Sequence, residues 1–226
     1  MKIVAVEDEQ SIVDAIGVAF EFRWPEAKLL SASLGKDGIS LVKKERPDLV
    51  LLDLNLPDMS GFKVLEAVRE FSSVPVIILT VRSDDADVLR GLETGADDYI
   101  TKPFNYLTLL ARVKAVLRRV EIPPIDKARE TAINDRVRID FIDQRVMVDG
   151  APVRLTPVEY RLFVLLAKNR NKAVAYQAIS EEVWQTKYDG QTQNIRIYVR
   201  RLRNKLGDNP PKMILNHHGI GYLLKG

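Results

Sequence analysis

The first half of the chain alternates short apolar runs with longer amphipathic stretches. The apolar runs predict five β-strands, and the two central runs are apolar at every position, which is typical of parallel strands covered by helices on both faces. The predicted strands cover 2–6, 29–32, 49–52, 76–79 and 99–100, and the predicted helices cover 10–22, 36–45, 61–71, 84–94 and 105–119. Alternating strands and helices predict a doubly wound α/β domain with a five-stranded parallel sheet.

A polar stretch in the middle of the chain ends this pattern. Residues 120–134 lose the hydrophobic periodicity and contain Pro123-Pro124, which cannot lie inside a helix. The stretch therefore predicts a linker between one domain at 1–119 and a second at 135–226. At 226 residues the chain is long enough for two domains that each bury a core.

The second half mixes short strands with helices. Asp149-Gly150 predicts a hairpin turn, and Thr156-Pro157 followed by Glu159 predicts a helix that begins with a capping box. The predicted strands cover 138–142, 145–148, 213–215 and 222–224, and the predicted helices cover 156–168, 176–184 and 190–206. This mixture predicts a smaller α+β domain.

Charge divides the chain at the same place. Residues 1–119 contain 16 basic and 19 acidic residues, whereas residues 135–226 contain 16 basic and 9 acidic residues. The basic half favours a polyanionic partner, and the acidic half favours a cation such as Mg²⁺. The chain has no cysteine, no signal-peptide-like start and no apolar run of about 20 residues. We therefore expect a cytoplasmic protein without disulfides, thiolate chemistry or a membrane span.

Polar side chains follow four of the predicted strands, at the edge where doubly wound sheets place their sites. Glu7 and Asp8 follow the first strand, Asp53 follows the third, Thr80 the fourth and Lys102 the fifth. Carboxylates brought together repel unless a cation lies among them, and oxygen ligands favour Mg²⁺. A carboxylate is also a competent nucleophile toward phosphorus. The pattern predicts a phosphoryl-transfer site.

The segments around these strand ends resemble the receiver domains of two-component response regulators. The motifs that carry the resemblance are VEDE at 6–9, LVLLDLNLPDMSGF at 49–62, VIILT at 76–80 and GADDYITKPF at 95–104. The resemblance implies that Asp53 accepts a phosphoryl group from a sensor histidine kinase. It also implies a Mg²⁺ site whose ligands are Glu7, Asp8, Asp53 and the carbonyl of Asn55.

The same resemblance assigns roles to residues near the phosphoacceptor. Thr80 and Lys102 would bind phosphoryl oxygens, and the Lys102-Pro103 peptide bond would be cis. Tyr99 would be a switch residue whose side chain reports activation, although an aromatic residue there is also compatible with simple packing.

The predicted helix at 190–206 has an apolar face and a basic face. Ile195, Val199, Leu202 and Leu206 form one apolar stripe that can dock on a core. The candidate DNA-binding residues of the other face and its flanks are Gln193, Arg196, Arg200, Arg201 and Arg203. Arginine can bind guanine or phosphate with two hydrogen bonds, so this face favours double-stranded DNA. A solvated cationic face would have the same sequence.

The second half resembles the winged-helix effector domain of OmpR/PhoB-type regulators. The resemblance lies in LTPVEYRLFVLLAKN at 155–169, VRRLRNKL at 199–206 and GIGY at 219–222. It implies that the 190–206 helix enters the major groove and that the hairpin at 213–224 is a wing near the minor groove. Residues 185–190 match a loop that touches RNA polymerase in some relatives.

Two positions depart from the usual effector pattern. Relatives commonly have an arginine before the Gly-x-Gly-Tyr of the wing and an acidic residue in the recognition helix, whereas this chain has His218 and Arg196. We expect a weaker minor-groove contact and more charge on the helix. The Arg-Ile-Tyr run at 196–198 resembles the corresponding segment of regulators of potassium uptake.

In this family, phosphorylation favours a receiver homodimer that binds paired DNA half-sites. The residues that match its interface network are Arg90, Asp97, Asp98 and Arg112. Val88 and Thr108 replace a usual lysine and a usual glutamate, so both ends of one expected ion pair are missing. Because exposed pairs contribute only about 0–1 kcal/mol, we expect the dimer to persist with more apolar contact.

Three other functions have to be weighed against this interpretation. An aspartate-nucleophile phosphatase needs a second aspartate two residues after Asp53, where this chain has Asn55, so we do not expect an enzyme. A phosphorylation-independent winged-helix regulator that uses its receiver only for dimerisation would be expected to lose acidic-pocket residues. An RNA-binding protein would be expected to carry an aromatic platform on which single-stranded bases stack, and nothing in this sequence resembles one.

Overall fold

The computed structural model describes residues 1–81, 85–120, 130–184 and 192–226. The chain divides into two compact units, Met1–Arg118 and Arg119–Gly226. Within the described residues, no helix combines the length and the apolar character needed to cross a bilayer.

The first unit is the predicted doubly wound domain. Its strands are β1 (Lys2–Val6), β2 (Lys28–Ala32), β3 (Leu49–Asp53), β4 (Val76–Thr80) and β5 (Asp98–Thr101). Its helices are α1 (Gln10–Arg23), α2 (Gly35–Glu45), α3 (Gly61–Phe71), α4 (Asp85–Thr94) and α5 (Tyr106–Val120). All neighbouring strands are parallel in the order β2-β1-β3-β4-β5, which confirms the predicted fold class.

The core of this unit lies on both faces of the sheet. Alternate residues of β1, β3 and β4 pack on one face with Ile16 and Phe20 of α1 and with Leu109 and Val113 of α5. Helices α2, α3 and α4 contact one another in series and cover the other face. Every residue of β3 and β4 is buried, as their continuous apolar runs predicted. Each buried large aliphatic side chain contributes about 1.5–3 kcal/mol of transfer free energy.

The second unit contains two antiparallel sheets and three α-helices among its described residues. The four-stranded sheet has the order β6 (Glu130–Ala132), β7 (Val137–Asp140), β8 (Arg145–Val148) and β9 (Ala151–Val153). The helices are α6 (Pro157–Lys168), α7 (Tyr176–Ile179), which continues into a π-helical turn at Ser180–Trp184, and α8 (Gln193–Leu206). The three-stranded sheet has the order β10 (Ala173–Ala175), β12 (Gly221–Leu224) and β11 (Ile214–His217).

The turn and cap chemistry of this unit agrees with the sequence. Asp149 and Gly150 both have positive φ and connect β8 to β9. Thr156 caps α6, and the side chain of Glu159 accepts the Thr156 N–H at 2.8 Å, which completes the predicted capping box.

Three strands of this unit were not predicted, namely β6, β9 and β10. Each has three residues and lies at the edge of its sheet, so it has too little alternation for a period-2 pattern to be recognised. Strand β6 also corrects the predicted linker, because Glu130–Ala132 pairs with β7 and Ile133 is buried. Residues 121–129 of the predicted linker lie outside the described residues. So do residue 84 of the predicted helix at 84–94 and residues 190–191 of the predicted helix at 190–206.

Candidate functional site

A cluster of carboxylates lies at the carboxyl edge of the parallel sheet. Strands β1 and β3 are neighbours, so Glu7, Asp8 and Asp53 come together, and one carboxylate oxygen from each lies within 4.8 Å of the others. Glu7 and Asp53 are each 2% exposed, whereas Asp8 is exposed. The group therefore has a buried floor and one side open to solvent.

The loop after β3 holds Asp53 at this edge. Ser60 caps α3 by accepting the Phe62 N–H, and the Gly61 N–H donates to the carbonyl of Leu54 at 2.9 Å. A Cβ at position 61 would lie only 2.1 Å from the backbone oxygen of Asp53, so this close approach requires glycine.

Lys102 connects two of the carboxylates. Its ammonium donates to Asp53 Oδ2 at 2.9 Å and to Glu7 Oε1 at 3.0 Å. Burial lowers the pKa of Lys102, but the hydrogen bonds to Glu7 and Asp53 outweigh it and raise the pKa above its ordinary value. The Lys102-Pro103 peptide bond is cis, as the resemblance implied.

Glu7 provides the test of whether these residues fit a metal ion. Its Oε2 lies 2.8 Å from the Lys102 ammonium but is a buried atom without a hydrogen bond. Burial, the largest cause, and the negative charge of Asp53 raise the pKa of Glu7 despite the contacts with Lys102. Three carboxylates beside one ammonium, with an unsatisfied buried oxygen, fit a hard divalent cation.

The remaining predicted residues of this edge lie close to the cluster in the fold. Thr80 ends β4 and is 2% exposed, and its carbonyl accepts the Lys102 N–H. Asn55 is exposed, and its N–H donates to Asp53 Oδ1 at 3.2 Å. Tyr99 is half-buried in β5 and pairs in register with Ile78 of β4.

The four predicted interface residues already have contacts within their own unit. Asp97 is 2% exposed, pairs with Arg69 at 3.0 Å and accepts the Val76 N–H. Asp98 pairs with Arg112 at 3.0 Å. Arg90 is exposed, and its guanidinium lies 4.3 Å from the centre of the Phe62 ring. The structure thus corrects the expectation for Asp97, whose carboxylate is buried and is paired within its own unit through Oδ2.

Helix α8 presents only part of the predicted basic set to solvent. Gln193, Arg196 and Arg200 are exposed. Arg201 is 8% exposed, and Arg203 is half-buried against the β11–β12 hairpin. The predicted apolar stripe is buried, as expected for a helix docked on a core. The expectation that Arg201 and Arg203 belong to the DNA-binding face is corrected by their inward placement.

The inward face of α8 meets a buried carboxylate that the sequence identified only as a cap. Arg201 lies 2.7 Å from Glu159 Oε1, and Lys205 lies 2.6 Å from Glu159 Oε2. Burial raises the pKa of Glu159, but the positive charges of Arg201 and Lys205 outweigh it and hold the pKa below its ordinary value. The four-residue spacing of Arg201 and Lys205 was the available signal, since it places both on one helix face.

The predicted wing is present as the β11–β12 hairpin. His218 is exposed at its tip, and its Nδ1 lies 3.3 Å from the Asn216 amide nitrogen. Sequence reasoning missed Asp208, a buried residue just after α8 that holds the base of this hairpin.

Comparisons with known proteins agree with both units. Residues 3–114 match the model of the response regulator receiver domain, and residues 150–224 match the model of the C-terminal domain of transcriptional regulatory proteins. The chain belongs to the two-component response regulators of the OmpR/PhoB type, and it is a phosphorylation-controlled transcriptional regulator.

Individual relatives extend over almost the whole chain. The transcriptional regulatory protein KdpE of Mycobacterium tuberculosis (strain ATCC 25618 / H37Rv) is 37% identical over 228 residues, covering 97% of each chain. This similarity matches the resemblance seen at 196–198. The structure of DrrB, an OmpR/PhoB homolog of Thermotoga maritima, is 31% identical with a TM-score of 0.52, covering 100% of this chain and 99% of that one. The structure of a mutant of RitR, at 26% identity, has a TM-score of 0.80 with the same coverage.

Proposed function

We propose that Asp53 is the phosphoacceptor of this regulator and that a sensor histidine kinase is its donor. The observation that carries the proposal is the bridge from the Lys102 ammonium to Asp53 and Glu7. A carboxylate oxygen of Asp53 attacks phosphorus, the bond from phosphorus to the kinase imidazole nitrogen breaks, and that nitrogen keeps the electron pair.

The chain's own residues divide the remaining work. Glu7, Asp8, Asp53 and the carbonyl of Asn55 would hold Mg²⁺, which supplies neutralising charge for the phosphoryl oxygens. Lys102 would move its hydrogen bonds from carboxylate to phosphoryl oxygens. Thr80 would bind another phosphoryl oxygen through its hydroxyl, and Tyr99, on the neighbouring strand, would respond to that movement.

Labelling with acetyl phosphate and Mg²⁺, followed by intact-protein mass spectrometry, tests the phosphoacceptor. We expect one added phosphoryl group on the wild type and none on Asp53→Ala. Asp37→Ala, at an exposed carboxylate in α2, serves as the matched control and should label like the wild type. Full labelling of Asp53→Ala would contradict the assignment.

We further propose that the exposed face of α8 reads double-stranded DNA. Its contacts with the major groove would come from Gln193, Arg196 and Arg200, and His218 at the hairpin tip would approach the minor groove. Arg201 and Arg203 are not part of this contact set. Arg200→Ala should enlarge the dissociation constant for a DNA site selected with the wild-type protein, as measured by fluorescence anisotropy.

Phosphorylation would favour a homodimer on paired half-sites. Arg90, Asp98 and Arg112 are the proposed interface residues, and the internal pairing of Asp98 with Arg112 would be exchanged for pairing across subunits. Analytical ultracentrifugation with and without acetyl phosphate measures this association. A contact of residues 185–190 with RNA polymerase remains a prediction, since that segment lies outside the described residues.

The alternative functions have less support. A receiver kept only for dimerisation would not be expected to retain every residue of the acidic pocket, yet Glu7, Asp8, Asp53 and Lys102 are present and lie together. The phosphatase alternative lacks its second aspartate, because position 55 is asparagine.

A further inference from the structure

The base of the β11–β12 hairpin is fastened to the C-terminal end of α8 by Asp208. This side chain is 6% exposed. Its Oδ1 accepts the N–H groups of Lys212 at 2.7 Å and Met213 at 2.8 Å, and its Oδ2 accepts the Ile214 N–H at 2.8 Å. Its own N–H donates to the carbonyl of Arg203 at 2.8 Å. One carboxylate therefore ties the first residues of the hairpin directly to the helix.

Arg203 makes the complementary contact from the last turns of α8. Its Nε donates to the carbonyl oxygen of Ile214 at 2.9 Å, and one terminal nitrogen donates to the same oxygen. Its guanidinium also lies 5.8 Å from the centre of the Tyr222 ring in β12. Arg203 thus touches both strands of the hairpin.

The position of β11 in its sheet explains why these contacts matter. Among the described residues it is an edge strand, so one row of its backbone groups has no neighbouring strand there. Asp208 and Arg203 supply partners for that row at Ile214, one for its N–H and one for its carbonyl. A hairpin of two four-residue strands is only marginally stable by itself, so its orientation depends on such attachments.

We propose that Arg203 and Asp208 are positioning residues that hold the wing at a fixed place relative to the recognition face of α8. This inference rests on the proposed DNA binding by α8 and the hairpin. With the wing ordered before DNA arrives, binding does not have to immobilise it, and contacts in the two grooves form together. The sequence pattern counted Arg203 among the DNA-binding residues of the basic face. In this proposal it instead affects DNA binding indirectly, by holding the hairpin.

Dimethyl sulfate probing of a DNA site selected with the wild-type full chain tests this role. The reagent methylates guanine N7 in the major groove and adenine N3 in the minor groove, so one experiment reports both contacts. We expect the wild type to protect both atoms and Arg203→Gln to keep the N7 protection while losing the N3 protection. Arg200→Gln, at an exposed residue one turn earlier, should instead weaken the N7 protection.

Each result has a distinct meaning. If Arg203→Gln keeps both protections or loses N7 together with N3, the positioning role is wrong while the proposed DNA binding stands. If the wild type protects neither atom on any selected DNA, the proposed function itself fails. Fluorescence of Trp184, which packs on Tyr198 of α8, checks that each variant is folded.

A double-mutant cycle gives an independent readout. Arg203→Gln should lower DNA affinity about tenfold in the wild-type background. It should have little effect in a His218→Ala background, because the contact of the hairpin tip with the minor groove is already removed there. Additive effects would overturn the inference. Asp208→Asn should behave like Arg203→Gln and should speed amide exchange at Met213 and Ile214.

Discussion

At the scale of single residues, three arginines of one helix have three different environments. Arg200 is exposed, Arg201 is buried against Glu159, and Arg203 contacts the hairpin. Successive residues of an α-helix differ in direction by about 100°, so neighbours in sequence face different partners. Composition identifies a basic helix, but only the direction of each side chain determines which charges can reach DNA.

Lys102 gives a prediction about metal dependence. Lys102→Gln removes the ammonium between Glu7 and Asp53, so the unit should lose about 1–3 kcal/mol of stability without divalent cations. MgCl₂ should recover more stability in this variant than in the wild type, because the cation replaces the missing charge. Thermal unfolding followed through Trp24 in a Trp184→Phe background measures both effects. Lys114→Gln, at an exposed site, is the control. If Lys102→Gln and the wild type had equal melting temperatures without divalent cations, the stabilising role of Lys102 would be refuted.

Two glycines give a matched pair of substitutions with opposite expected signs. Gly61→Ala should destabilise the first unit by about 1–3 kcal/mol, because the new Cβ would meet the backbone of Asp53. Gly17→Ala, inside α1, should stabilise it by about 0.5–1 kcal/mol, since the nearest atom would be in ordinary contact at 3.7 Å. Urea unfolding measures both. If Gly61→Ala left the free energy of unfolding unchanged, the backbone of the loop between β3 and α3 would be able to move away from Asp53 at little cost.

At the scale of elements, Glu159 links the start of α6 to the inner face of α8. It closes the capping box of α6 and pairs with two side chains one turn apart on α8. Two anchors on one helix face restrict rotation of α8 about its axis and keep the face with Arg196 and Arg200 outward. The element that is proposed to read DNA is therefore oriented by a residue on its opposite side.

The lowered pKa of Glu159 predicts acid sensitivity of the second unit. A carboxyl group whose pKa is depressed by folding contributes stability above its unfolded pKa and loses that contribution as pH falls through its folded pKa. Below the ordinary glutamate range, the wild type should therefore lose stability more steeply than Glu159→Gln. Near neutral pH the variant should be the less stable protein, because the negative charge of Glu159 beside Arg201 and Lys205 is then lost.

Denaturant unfolding monitored by Trp184 in a Trp24→Phe background, from pH 7 to pH 3, measures this dependence. Glu182→Gln, at an exposed carboxylate, should keep the wild-type pH profile. If the stability of the wild type and of Glu159→Gln fell equally with decreasing pH, the pKa of Glu159 would not differ between the folded and unfolded states.

At the scale of the whole molecule, charge and function divide along the same boundary. Residues 1–119 have a net charge of −3, and residues 135–226 have a net charge of +7. Phosphorylation would add about −1.5 to −2 charges to the acidic part. The acidic pocket and the basic helix thus belong to separate compact units of the chain.

The salt dependence of DNA binding tests how the basic unit uses its charge. If Arg196 or Arg200 contacts a phosphate in addition to a base, its change to glutamine should reduce the magnitude of the slope of log K against log salt by about 0.9. Arg145→Gln, at an exposed arginine in β8, should leave the slope unchanged. The slope comes from anisotropy titrations at several salt concentrations, and an unchanged slope in both helix variants would exclude phosphate contacts at these positions.

The sequence by itself determined the order of strands and helices in the first unit and the residues at its carboxyl edge. Continuous apolar runs and helical spacing are local signals, and polar residues that follow parallel strands must meet at one edge. It also determined the cap of α6 and the turn between β8 and β9, because both depend on residues close together in the chain.

Only the tertiary structure decided which charges remain available. The inward pairing of Arg201, the burial of Asp97 and the attachment of the hairpin by Arg203 and Asp208 depend on partners distant in sequence. The short edge strands β6, β9 and β10 likewise form because neighbouring strands offer backbone hydrogen bonds. Burial and long-range pairing are properties of the packed chain, so local patterns that predict elements cannot assign them.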